Sequence, residues 1–220
     1  MIARFFKRSS PDDGLPAERG PLGLAIGLAV EIDTLGLQAE MAAGEPAMGA
    51  PAGGPFIVAA HGVARLDADS ELHRYYDDDH RLLQVIVPPG GGPEEVQDVS
   101  LYMPWDSVAP MGRGEWSRWT GPSGMIGQPE YDADGIVFTR YWGDGPDKVD
   151  LVGFTEKVDD GERPREIYQQ CMLYSRPVGS GEEMLLINIE RDLGDHAAQE
   201  GGSIEFLIGY GLGPADIRKV

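Results

Sequence analysis

Residues 71–87, ELHRYYDDDHRLLQVIV, restrict the fold of this chain more than any other stretch. They read as two strands joined by an acidic turn, halted by Pro88-Pro89-Gly90-Gly91-Gly92-Pro93. In the first arm Leu72, Arg74 and Tyr76 share one face, and His73 and Tyr75 share the other. In the second arm both faces are mainly apolar: Leu82, Gln84 and Ile86 against Leu83, Val85 and Val87. A short run of that kind, rich in β-branched side chains, suits the middle of a sheet.

Other segments repeat the strand signature. Leu22, Leu24, Ile26, Leu28, Val30 and Ile32 alternate with small residues and predict a strand over 22–32. Phe56–Leu66 predicts another, with a bulge or close backbone approach at His61-Gly62. Residues 97–103 form a strand ended by Pro104 in this reading. Strands are further expected over 135–142, 149–158, 170–178, 184–191 and 203–210, with hairpin-type links at Gly143-Asp144-Gly145 and Gly179-Ser180-Gly181. TLGLQAEMA after Asp33 predicts a short helix, and 163–169 a helical turn. Residues 105–134 lack periodicity and read as one long loop held down by its tryptophans or used by a ligand. The expected class is β-rich α+β. Residues 1–20 form a basic aromatic start and linker, and 21–220 a single domain on a largely antiparallel sheet, or two packed sheets, with few short helices.

Charge narrows the partners. The chain carries 18 basic and 37 acidic side chains, a formal net charge of −19. Such a surface repels phosphate backbones, which argues against nucleic acid. It leaves basic proteins, cationic ligands and hard cations as partners, or serves solubility alone. The exception is the start, MIARFFKR, where Arg4, Phe5, Phe6, Lys7 and Arg8 are candidates for weak peripheral membrane contact. Three basic residues at an anionic leaflet contribute roughly 3 kcal/mol, enough for reversible attachment only. The longest apolar run, 22–30, is far below the ~20 residues that span a bilayer. The polar SSPDDG after the basic start does not fit a signal peptide, so a cytoplasmic location, peripheral to the inner membrane, is expected.

Several groupings invite chemistry. Asp77, Asp78 and Asp79 precede His80, and a divalent cation would relieve their mutual repulsion. Across a hairpin His73 and His80 would approach, making Asp77, Asp79, His73 and His80 a metal-ligand candidate; an ordinary Asp-rich turn is the competing reading. Glu130, Asp132 and Asp134 before Gly135 imitate the opening of a calcium loop, but Tyr141 stands where the bidentate acid is required. Trp105, Trp116 and Trp119, with His61 and Tyr75, are the candidates for binding a ligand or partner. The single Cys171 lies in an apolar run and reads as a small buried hydrophobe. Nucleophile-elbow, phosphate-loop and HExxH motifs are absent from the sequence. No cofactor is required by this reading, with a divalent cation as the one candidate.

Ala60-His61-Gly62, His73-Arg74-Tyr75-Tyr76-Asp77-Asp78-Asp79 and Leu83-Gln84-Val85 resemble the YjfK-like family of uncharacterised bacterial proteins. So do Asp134-Gly135 leading to Arg140-Tyr141-Trp142, Met172-Leu173-Tyr174-Ser175-Arg176, and Glu183-Met184-Leu185-Leu186 with Glu190 beyond. The resemblance covers roughly residues 20–210. It implies context and no catalytic residues: members are often encoded beside a phage-shock-protein-A-like membrane-stress protein and other envelope proteins. The expected function is therefore a non-enzymatic binding or accessory protein of that system. The alternatives are a metal-dependent enzyme using the Asp/His cluster and a small-ligand module using the loop 105–134.

Overall fold

The computed structural model describes residues 20–49, 51–192 and 202–219. In chain order the elements are β1 (Ala29–Ile32), α1 (Leu35–Met41), β2 (Gly54–Ile57), β3 (Ala60–Arg65), β4 (Glu71–Tyr76), β5 (Leu82–Val87) and β6 (Asp98–Val108). They continue with α2 (Gly112–Thr120), β7 (Glu130–Ala133), β8 (Ile136–Arg140), β9 (Val152–Asp159), β10 (Arg165–Val178), β11 (Gly181–Asp192), β12 (Ser203–Gly211) and β13 (Ile217–Lys219). The fold is β-rich and antiparallel, as its alternating segments predict.

Eight of the strands close on themselves. Neighbours run β3-β4-β5-β6-β12-β11-β10-β9, and β9 pairs back onto β3 through His61↔Asp159 to Ala64↔Glu156. The β10–β11 hairpin, twelve residue pairs from Ile167↔Asp192 to Val178↔Gly181, supplies another wall of the barrel. An eight-stranded barrel has a lumen just wide enough for side chains to fill. Ala64, Leu72, Leu82, Tyr102, Phe154, Cys171, Leu186 and Leu207 fill it here, all buried. Closure removes the free edges that an open sheet would expose.

The same alternation sends a second apolar set outwards, where two layers cover it. The small sheet β13-β1-β2 lies over Tyr75, Leu83, Val85, Val87, Val99 and Leu101 with Val30, Ile32 and Phe56. That explains why β5 is apolar on both faces. The helices α1 and α2 and the β7–β8 hairpin pack with the outer residues of β10, β11 and β12: Met172, Tyr174, Leu185, Ile187, Ile189, Ile204, Phe206 and Ile208. One part of the wall lacks such a layer. On β3 and β9 the outward Arg65, Thr155 and Lys157 are exposed, as is Glu166 on β10.

Several expected boundaries move, each for a local reason. The run 22–32 is not one strand: Gly23 and Gly27 take φ of 66° and 83°, and only Ala29–Ile32 pairs. The break within 56–66 falls at Val58-Ala59, while His61 and Gly62 lie inside β3. Pro104 does not end β6, because the β5 pairing has already stopped at Leu82↔Tyr102 and β12 alone follows the strand to Val108. Residues 105–134 are no loop: they hold the end of β6, α2 and β7. Residues 165–169 are strand, paired to β9. Finally, β8 and β9 do not pair with each other. Both lie along one edge of β10, and Arg140 gathers the intervening chain by donating to the carbonyls of Gly127, Trp142, Gly145 and Asp147 at 2.6–3.1 Å.

Gly62 is where the lumen is tightest. A Cβ there would run into the carboxylate and Cγ of Glu156, which is fully buried and pinned by its hydrogen bonds. Gly62→Ala is expected to lower the unfolding free energy by roughly 1–3 kcal/mol in urea titration. An unchanged midpoint would mean that Glu156 can move aside.

Candidate functional site

The lumen is not uniformly apolar. At its centre Arg74, 2 % exposed, meets Glu156, 0 % exposed, at 3.5 Å. Arg74 also donates to Gln84 Oε1 at 3.2 Å and to Cys171 Sγ at 3.5 Å, and its guanidinium lies 5.1 Å from the Phe154 ring centroid. Glu156 accepts from Tyr76 Oη at 2.8 Å and Gln169 Nε2 at 3.2 Å, and Cys171 Sγ donates to Asn188 Oδ1 at 2.8 Å. Burial works against the charged guanidinium, yet Cys171, Tyr76 and Glu156 hold its pKa above the ordinary arginine value. Burial also pushes the Cys171 thiol up, with the Arg74 guanidinium opposing. A buried charge of this kind is stable only while its partner stays.

The signal for this network was present in the strand pattern. Arg74 falls between Leu72 and Tyr76 on an inward face, and Glu156 falls between Phe154 and Val158. Charged residues at inward positions on two strands call for each other. Which strands would meet is not written in either segment.

On the outer face β3 and β4 place three rings in a stack. His61 lies over Tyr75 with centroids 4.5 Å apart and 7° between planes, and over His73 at 5.2 Å and 19°. His73 Nε2 donates to Glu71 Oε1 at 3.1 Å, which leaves Nδ1 as the acceptor for His61 Nε2–H at 3.0 Å. In this arrangement His61 donates and His73 relays the bond on to Glu71. Burial, then the neighbouring His73, draws the His61 pKa down to about 4, with Asp159 opposing. Burial likewise lowers that of His73 against the pull of Glu71.

The acidic turn is self-contained. Asp77 is buried; its Oδ1 accepts the backbone N–H of Asp79 at 3.0 Å and of Arg81 at 2.8 Å, and its Oδ2 pairs with the Arg81 guanidinium at 2.7 Å. His80 takes φ of 62° in the turn, and Asp78 and Asp79 face solvent. His73 is engaged with His61 and Glu71 on the strand. The expected grouping of Asp77, Asp79, His73 and His80 is therefore not assembled. Among the described residues no three His, Cys, Asp or Glu side chains gather to hold a metal ion. Asp132 and Asp134 likewise make a plain hairpin turn, with Asp132 Oδ1 accepting from Gly135 N at 2.7 Å.

Trp105 on β6 and Trp116 and Trp119 on α2 pack against the outer cluster over β10–β12, and Trp119 lies 5.8 Å from Phe206. His61 and Tyr75 belong to the opposite wall, so the five proposed binding residues do not share one surface. Arg4, Phe5, Phe6, Lys7, Arg8 and His196 lie outside the described residues. No described helix is long and apolar enough to cross a membrane.

Fold and sites together define an antiparallel eight-stranded barrel with a side-chain-filled, partly ionic lumen. The chain belongs to the family described as "Protein of unknown function (DUF2491)", whose sequence model matches residues 1–218. No curated protein and no solved structure matches it.

Two outcomes follow from these geometries. Arg74→Met strands the Glu156 carboxylate and should cost about 3–5 kcal/mol, whereas Arg74→Met/Glu156→Gln should recover most of it; equal losses would show that the pair is not coupled. His61 is held neutral below its unfolded pKa of 6.5, so its contribution is complete above 6.5 and is lost as pH falls towards 4. Unfolding free energy should drop by about 2–3 kcal/mol across that window, and His61→Phe should remove most of the drop.

Proposed function

We propose that the protein is a non-enzymatic binding or accessory protein at the cytoplasmic side of the bacterial inner membrane, acting with a phage-shock-protein-A-like partner. The observation that carries the reading is the uncovered stretch of barrel wall. Two layers close over most of the outer apolar residues, while β3, β9 and the start of β10 present Arg65, Thr155, Lys157 and Glu166 to solvent. Val152, 42 % exposed, borders this stretch on β9. With side chains filling the lumen, recognition falls to the outside of the barrel. A twisted, charged sheet face with an apolar margin suits a polar protein partner better than a small apolar ligand. The resemblance to the YjfK-like family names the partner, and the basic aromatic residues 1–8 supply the membrane contact.

The test is direct. The full chain mixed with the phage-shock-protein-A-like protein should co-elute in size exclusion, and Thr155→Arg/Lys157→Glu should abolish this without altering the circular dichroism spectrum. In flotation with anionic vesicles, removal of residues 1–8 should reduce the bound fraction. A wild-type chain that neither co-elutes nor floats would contradict the proposal.

A further inference from the structure

One end of the lumen gathers the carboxylates of Glu190 and Glu205 beside the amide of Gln169. At this end β3, β5, β10 and β12 begin, and β4, β6, β9 and β11 finish. The register sets Gln169 opposite Glu190 and Asn188 opposite Glu205, on the same inward face as Glu156 and Cys171. Arg74 is already committed to Glu156, and Arg165 at the rim pairs with Asp160 at 2.6 Å. Gln169, 1 % exposed, gives its amide N–H to Glu156, and among the described residues no donor reaches its Oε1. Glu190 is the outermost of the carboxylates and is partly exposed. Burial, then Glu156 and Glu205, holds its carboxyl above the usual range, while Arg165 opposes. Carboxylates around an unused carbonyl suit a group that only donates: an ammonium or a guanidinium.

The chain carries such groups within reach. Gly20 lies against Tyr75 and His61 at this same end of the barrel, because a Cβ on Gly20 would meet both rings. Twelve peptide links separate Arg8 from Gly20. They span at most about 40 Å, enough to bring residues 1–8 to the barrel mouth. In a chain of net charge −19, Arg4, Lys7 and Arg8 fall within five consecutive residues with no acid among them.

We propose that the barrel mouth at Glu190 is a docking site for the chain's own N-terminal basic segment, residues 1–8, which offers its cationic donors to Glu190 and to Gln169 Oε1. Docking and attachment to lipid then compete for the same three basic residues, and the membrane contact is held back until a surface of higher negative charge displaces the mouth. The lipid half of this competition rests on the membrane contact proposed above; the docking half does not.

Carboxyl-carbon NMR of Glu190 in the full chain, compared with Arg4→Gln/Lys7→Gln/Arg8→Gln, tests the docking. Loss of the cations should make Glu190 titrate about one pH unit higher or more. A titration that is identical in the two chains overturns the proposal, and so does a shift that vanishes on dilution, which would assign the segment to a second copy. Flotation on anionic vesicles supplies the other arm: Glu190→Gln should raise the bound fraction severalfold, and an unchanged fraction overturns the competition. If the triple variant fails to float while Glu190 titrates unaltered, the docking fails and the membrane contact stands. If Glu190 responds but no chain floats, the docking stands and the membrane contact fails.

Discussion

A guanidinium in the middle of a barrel has to be satisfied from several strands at once. Arg74 comes from β4, Gln84 from β5, Glu156 and Phe154 from β9, and Cys171 from β10. The strands β4 and β5 are neighbours, but β9 and β10 lie about eighty to a hundred residues further along the chain. The charge therefore fixes which inward faces meet and at what height. A hydrophobic lumen of equal volume would be no less stable, and sometimes more so. What the ion pair adds is a heavy penalty for any strand register that leaves Arg74 or Glu156 alone. Gly62 fits the same picture: its missing side chain is the space that the Glu156 carboxylate occupies.

Once inside and outside are fixed, the rest of the architecture follows from what the outer faces need. Tyr75, Leu83, Val85 and Val87 cannot face water together, and the small sheet of β1, β2 and β13 covers them. The outward face of β10–β12 is larger and recruits helices, a hairpin and four tryptophans. The uncovered remainder on β3 and β9 alternates buried and exposed residues cleanly, as a wall with one wet face should. A barrel that spends its lumen on its own side chains has its surfaces left for recognition.

How far the sequence disclosed this depends on the kind of pattern. The pattern of 71–87 disclosed the central position of β5 and the shared face of Leu72, Arg74 and Tyr76, which the barrel turns inward. Patterns elsewhere gave most strands and the short helix α1 as well. Closure was not legible, because the seam between β3 and β9 joins segments about ninety residues apart with no local signal for pairing. Pro104 misled for a physical reason: its missing N–H ends a strand only where a neighbour needs that donor. Alternation of bulky and small residues over 22–32 misled in the opposite way, since glycines at positive φ bend the chain while Leu22, Leu24, Ile26, Val30 and Ile32, though not the exposed Leu28, still pack into the core. Among the site residues, Asp77 shows how composition overstates chemistry. Three adjacent acids suggest a cation, yet one of them folds back on the turn's own N–H groups and on Arg81.

The closed barrel with its shared internal ion pair is the claim on which everything else stands, and the β3–β9 seam is where it is most exposed to test. Through-hydrogen-bond couplings and amide exchange at that seam, in residues 61–64 and 156–159, measure closure directly. A barrel predicts cross-strand couplings there and protection comparable to that of the β4–β5 hairpin. Amides that exchange at the rate of a free sheet edge, with no coupling between the two strands, would show an open sheet and contradict the account.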